Sequence, residues 1–403
     1  MSEKHSIWKD GTQVRRFLAT ILCSGLAYGF YRGIQDNYLA EIVGISEFGR
    51  GVVEFFREMP GLLLIFILAA MYRFSENKVF KIGTAIMLAG IAGLLIGGSN
   101  MIVVVIFMVL FSTGEHIVMP VKSSLSLGYA QSGKGGAALG VMSGISHGGN
   151  IVGYLGVAGL FAVIGAQGWS ARNGFKAIFL IACLLLVVST VIVTSMKDTG
   201  KTVRRSRLYF AKKFSKYYML EVFYGARKQV FLTFAPYVLI LHYGAETSVI
   251  SLLMAVCAAS GMVFAPIIGK IIDKLGYKTV MVGDTLILMV VCFFYGFAHR
   301  LFPQNIAFIV VCVNYVLDSI ISLASLASSV YVQDIADNRE EVTATITTGI
   351  SVNHLISVAI ALLGGWIWKS MGIEVLFSMS AILGLINTLY AATIKVPATK
   401  PKQ

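Results

Sequence analysis

Two short stretches place fixed positive charge inside apolar sequence. They are Tyr28, Gly29 and Arg32, and then Tyr224, Gly225, Arg227 and Lys228 about 196 positions later. A guanidinium or ammonium group held away from water suits a carboxylate or phosphate, which arginine grips through two parallel hydrogen bonds. Tyr28 and Tyr224, with Tyr31 and Tyr315, would add a wall for a flat or amphipathic ligand, and Asn314 a neutral polar contact. Asp36, Glu115, His116 and Asp318 are the candidates for carrying a proton. Glu115 could equally do no more than neutralise one of the bases. No Ser-His-Asp set, spaced metal ligands or phosphate loop accompanies these groups, so neither an enzyme nor a cofactor or metal is expected.

These residues must be held by elements suited to lipid. The hydrophobic share is 57% and only 13% of residues are charged, against roughly 25% in a soluble domain. Twelve apolar runs of membrane-spanning length cover 17–39, 51–71, 79–98, 101–120, 137–163, 175–196, 217–241, 248–271, 279–298, 306–327, 342–366 and 375–394. A hydrocarbon core of roughly 30 Å needs about 20 such residues as a helix. The runs are about twice the length of barrel strands, and helices satisfy their own backbone, so an all-α integral membrane protein is expected. The stretch before the first run is a basic polar tail rather than a cleavable signal.

Most of the 33 Lys and Arg fall on the side shared by both termini, which places the termini and the central loop in the cytoplasm of a multi-pass inner-membrane protein. The net charge of +13 is this bias and requires no nucleic-acid partner. Residues 197–216 carry Arg204, Arg205, Arg207, Lys212, Lys213 and Lys216 among Leu208, Tyr209, Phe210 and Phe214. That pattern reads as an amphipathic helix lying on anionic lipids. Cys23, Cys183, Cys257, Cys292 and Cys312 lie within apolar runs, read as core residues, and predict no disulfide.

The halves are related. Tyr28-Gly29 returns at Tyr224-Gly225, the loop of Arg73 and Lys78 at that of Asp273 and Lys278, and Gly144-Ile145-Ser146 at Gly349-Ile350-Ser351, with an offset drifting from about 196 to about 205. The chain therefore reads as a tail (1–16), a six-helix bundle (17–196), a linker (197–216), a second bundle (217–394) and a tail (395–403), the two bundles being pseudo-symmetric. The glycines of Gly269-Lys270-Ile271-Ile272-Asp273-Lys274-Leu275-Gly276-Tyr277-Lys278 allow a tight turn, and Asp273 can bond helix-start donors or a cation. Through Gly269, Asp273, Lys274, Gly276 and Lys278 the loop resembles that of the major facilitator superfamily, where it acts as a cytoplasmic gate. The first-half loop departs from the pattern, with Ala69, Arg73, Glu76 and Lys78 at the matching places. A glycine ladder at Gly140, Gly144, Gly148, Gly149, Gly153 and Gly156 is similar to the family's antiporter motif without its Gly-Pro step, and suits close helix packing.

The resemblance implies that the first, fourth, seventh and tenth runs line a central cavity. Those runs carry Arg32 and Asp36, Glu115 and His116, Arg227 and Lys228, and Asn314 and Asp318. Arg32 would otherwise snorkel outward or pair with Asp36 one turn away. His116, His147 and His354 either titrate or bond between helices. Glu54, Arg57 and Glu58 form either an outer gate or an interfacial ion-pair cluster. The expected function is secondary transport of a small organic anion, proton coupled, by a monomer working through alternating access. Import is favoured because the exporter signature is broken. The alternative is a proton-driven drug or metabolite efflux antiporter.

Overall fold

In hydrocarbon a backbone has no water to bond, so each segment must close its own hydrogen bonds, and helix is the local way to do so. The computed structural model describes residues 6–9, 11–198, 200 and 208–395, the side chain of residue 339 excepted. Among these the chain is helical, and strand pairing is limited to one isolated bridge between Trp8 and Ala130. The first half contains α1 (Thr12–Asn37), continued by a π turn at Tyr38–Ile42, then α2 (Glu47–Leu62), α3 (Leu64–Ala70), α4 (Glu76–Gly97), α5 (Met101–Tyr129), α6 (Gly135–Gln167) and α7 (Ala171–Thr194). The second contains α8 (Ser215–Tyr243), α9 (Thr247–Leu275), α10 (Tyr277–Leu301), α11 (Gln304–Ile321), α12 (Leu326–Ile335), α13 (Arg339–Met371) and α14 (Ile373–Ala392).

Among the described residues, ten helical segments are long and apolar enough to cross a membrane. The two other runs expected to span are helical but fall outside that set for different reasons. The second run carries Pro60 near the end of α2, which removes a backbone donor, and the helix gives way at Leu63 before resuming as α3. The seventh, α8, has Lys216, Glu221, Arg227 and Lys228 in its first half. Large apolar side chains face outward along the spans, including Phe66 at 71% exposure and Ile102 at 71%, an arrangement suited to lipid and not to water.

The chain divides into two compact units. The first is Met1–Gly44, Phe56–Arg205 and Glu246–Ala258; the second is Ile45–Phe55, Ser206–Ala245 and Ala259–Gln403. The sequence division into 17–196 and 217–394 is therefore modified by an exchange of two segments at equivalent places, 45–55 and 246–258. Each follows a glycine in the left-handed region, Gly44 at φ 74° and Gly244 at φ 69°, where a Cβ would be strained.

Each unit holds a like close contact between two helices, α1 against α6 and α8 against α13. In the first unit a Cβ on Gly29 would lie 2.3 Å from the Asn150 carbonyl oxygen, and in the second a Cβ on Gly225 would lie 2.9 Å from that of Asn353. Gly149 and Gly153 press on α1 at Gly25 and Gly29, whereas Gly140, Gly144 and Gly148 face open space. Only part of the ladder is thus a packing seam.

The loops depart from expectation in places. Gly276, at φ 80°, turns the chain between α9 and α10, while Asp273 and Lys274 stay on the exposed end of α9 with no side-chain hydrogen bond or ion pair among the described residues. It is Asp334 that takes up the polar contact there, accepting from the Tyr277 hydroxyl at 2.9 Å. Gly276→Ala is expected to lower stability by about 1 kcal/mol or more, read as a lower Tm in detergent. In the first half Ser75 caps α4 and donates to Asp198 at 2.6 Å, a bond that holds the Asp198 carboxyl below its usual range.

In the linker, Arg204, Arg205 and Arg207 lie outside the described residues. Residues 208–211 are not helical and only Lys212–Phe214 form a short turn. Here Asp337 and Glu341, at 2.7 and 2.6 Å, hold the Lys213 ammonium above its ordinary pKa. Phe214 is fully buried in a cluster with Tyr217, Tyr277 and Tyr331.

Candidate functional site

Each unit holds a group of charged side chains within its spans beside a cavity. In the first, α1, α5 and α6 surround a cavity of about 350 Å³, within the range of small-molecule sites. The close approach of α1 and α6 at Gly29 and Gly153 brings Tyr28 beside His147 and Asn150. From α5 come Glu115 and Lys122, seven residues apart, which puts them on one face with about 10 Å between them along the axis. Neither has a hydrogen bond or ion pair among the described residues. The Asn150 amide nitrogen, turned to suit its surroundings, donates to the carbonyls of Ser146 at 3.0 Å and Gly25 at 2.8 Å.

The neighbours of these residues have other settings. His116 is buried, with Nδ1 2.8 Å from the Ser112 carbonyl oxygen, so it is engaged within its own helix and does not line the cavity. Arg32 is half-buried and Asp36 buried, and both lie off the cavity wall.

In the second unit the centre is Arg227 of α8, 4% exposed. Its Nη1 donates to Asp284 of α10 at 3.0 Å and its Nη2 to Asp318 of α11 at 3.3 Å. Two carboxylates thus hold one guanidinium, and the cluster carries a formal charge of −1 when all three are ionised. One N–H of each Nη is thereby committed to a carboxylate, and the positive charge of Arg227 is already offset by two acids. Lys228 is half-buried and without an ion pair among the described residues. Tyr224 reaches the Ser322 carbonyl at 3.5 Å, and the Asn314 amide donates to Val310 on its own helix at 2.7 Å. Beside the cluster a cavity of about 30 Å³ is lined by Glu221, Tyr224 and Asp284, room for a water or two.

Asp284 escapes a sequence reading because the resemblance directs attention to the first, fourth, seventh and tenth runs, and Asp284 stands in the ninth. A carboxylate in the apolar run 279–298 is the available signal. Glu221 is missed as well, although it stands in the seventh run. It is 8% exposed and accepts from Ser328 at 3.2 Å and Asn353 at 3.3 Å.

The exchanged segment 45–55 adds a third polar group to the second unit. Arg50, fully buried, pairs with Glu54 at 2.8 Å, and Gln229 donates to Glu54 at 3.2 Å and to Thr233 at 2.7 Å. The sequence singled out Glu54 but not Arg50, its partner one turn earlier.

The sequence model of the Major Facilitator Superfamily matches residues 217–403. No curated protein matches the chain. Among solved structures, it is similar to a nucleoside transporter at TM-score 0.73 and 11% identity, covering 94% of this chain and 99% of that one. A D-xylose-proton symporter gives TM-score 0.73 at 13% identity over 95% and 98%. A POT family transporter in complex with a thioalcohol-conjugated peptide gives 0.74 at 11% over 93% and 94%.

Proposed function

We propose that this chain belongs to the major facilitator superfamily, whose sequence model matches residues 217–403, and that it is a secondary active transporter, not an enzyme, moving a small organic solute with a carboxylate or phosphate group by alternating access. The proposal includes twelve spans with both termini in the cytoplasm, an inner-membrane location, a monomer, and contact of the basic linker with anionic lipids. A structural neighbour that is a D-xylose-proton symporter supports coupling to protons.

The observation that carries the coupling is Arg227 held between Asp284 and Asp318. A net charge in a desolvated site is costly, and one added proton makes this cluster neutral. Asp318 or Asp284 is therefore the proton carrier and Arg227 the base that drives the proton off. Lys122, without a partner in its cavity, anchors the anionic group of the solute. The gate residues Gly269, Asp273, Lys274, Gly276 and Lys278 close the cytoplasmic side through the turn at Gly276.

A second reading, proton-driven efflux of cationic or neutral cargo, is favoured by one feature: Glu115 also faces the cavity unpaired. Proteoliposomes with a pH-sensitive dye inside distinguish the two. Substrate applied outside acidifies the lumen in symport and alkalinises it in exchange. Asp284→Asn with Asp318→Asn is expected to abolish the proton signal under either reading. Proton flux persisting in that double variant would remove the cluster from the mechanism.

A further inference from the structure

We propose that the cavity of the first unit binds a zwitterion, with the solute's ammonium at Glu115 and its carboxylate at Lys122. This rests on the transport reading and narrows its substrate. Glu115 and Lys122 are the two formally charged side chains lining the cavity, apart from the titratable His147, and their charges sum to zero. They share a face of α5 two turns apart and feel each other's charge across the cavity, yet form no contact ion pair with each other and no hydrogen bond or ion pair with any other described residue.

An anion brought to Lys122 would neutralise it but leave Glu115 unpaired, with a net negative charge in a cavity within the spans. A cation brought to Glu115 would do the reverse. In a medium where an unpaired charge costs several kcal/mol, a ligand carrying both charges relieves both sites and adds no net charge. The spacing of about 10 Å along the helix axis, shortened by the reach of both side chains, suits charges several bonds apart rather than on adjacent carbons. The remaining wall agrees with a small organic chain between the charged ends. Met87, Met119 and Met142 offer adaptable apolar contact, and Tyr28 and Asn150 offer polar edges.

The test measures Tm of the purified full-length protein in detergent against matched probes: 6-aminohexanoate, hexanoate and hexylamine, with glycine and 4-aminobutyrate as shorter zwitterions. A ligand that binds the folded state raises the apparent stability. The expected result is a rise of about 2 °C with 6-aminohexanoate, a smaller one with glycine, and none with either single-charge probe. Glu115→Gln is expected to remove the preference for the zwitterion and let hexanoate act. Lys122→Met is expected to transfer the response to hexylamine. Those reversals require a folded variant, so they separate lost recognition from lost structure.

Hexanoate raising the wild-type Tm as much as 6-aminohexanoate would overturn the proposal, as would no response to any zwitterion. A zwitterion response that survives both substitutions would overturn it too. Proton flux in proteoliposomes is read separately. A zwitterion that binds without moving protons contradicts the coupling and leaves the cavity assignment intact, whereas proton-coupled flux of an anion alone does the opposite.

Discussion

Arg227→Met is expected to destabilise the protein by about 3–5 kcal/mol near neutral pH, because it leaves Asp284 and Asp318 buried together without their base. The loss has a distinctive pH dependence. Lowering the pH protonates the two carboxylates and removes the uncompensated charge, so the variant's Tm should approach that of the wild type in acid. The triple variant Arg227→Met, Asp284→Asn, Asp318→Asn carries no buried charge at the cluster and should regain most of the stability at all pH values, while remaining inactive in proton transport. Thermal unfolding across pH 5 to pH 8 checks both statements, since its lower end is where carboxylates brought together take up protons. If Arg227→Met lost the same stability at every pH, the deficit would lie in side-chain packing and not in charge.

The second large effect concerns the glycines of the first unit. Gly29→Ala places a Cβ 2.3 Å from the Asn150 carbonyl oxygen and 2.8 Å from its Cα. Those are backbone atoms in mid-helix that cannot swing aside, so α1 and α6 must separate. Overpacking of this kind costs about 1–3 kcal/mol and is occasionally worse. Because the two helices also form the cavity wall, the same substitution should weaken ligand binding.

Gly148→Ala is the matched comparison, on the same ladder but with nothing within 4 Å of the added Cβ. It should be neutral or gain about 0.5–1 kcal/mol from the better helix propensity of alanine. Equal Tm values for the two variants would show that the seam yields. Gly225→Ala, with its contact at 2.9 Å, should fall between them.

Several features of the site are legible in the residues alone. Charge at the middle of an apolar run is conspicuous whatever its partner, so Arg227, Glu115 and Asp318 stand out by their solvent. Spacing on a helix also carries over directly, and Gly276 is recognisable as a turn by the same kind of reasoning. The partners are not legible, because they come from other helices. Nothing in the run 279–298 says that Asp284 meets Arg227, and nothing in residues 45–55 says that Arg50 and Glu54 meet Gln229. His116 follows Glu115 directly in the sequence but does not share its cavity. Consecutive helix positions differ by about 100° in direction, and its ring bonds Ser112.

From the sequence by itself came the apolar solvent and the helical architecture. These depend on composition and on periodicity along one chain, which burial in lipid constrains strongly. Tertiary structure decided which charges remain available. It closed the Arg227 fork on two carboxylates and left Glu115 and Lys122 open to one cavity. That choice depends on distances of a few ångströms between helices far apart in sequence, and Coulomb energy in a weakly screening medium changes steeply over such distances.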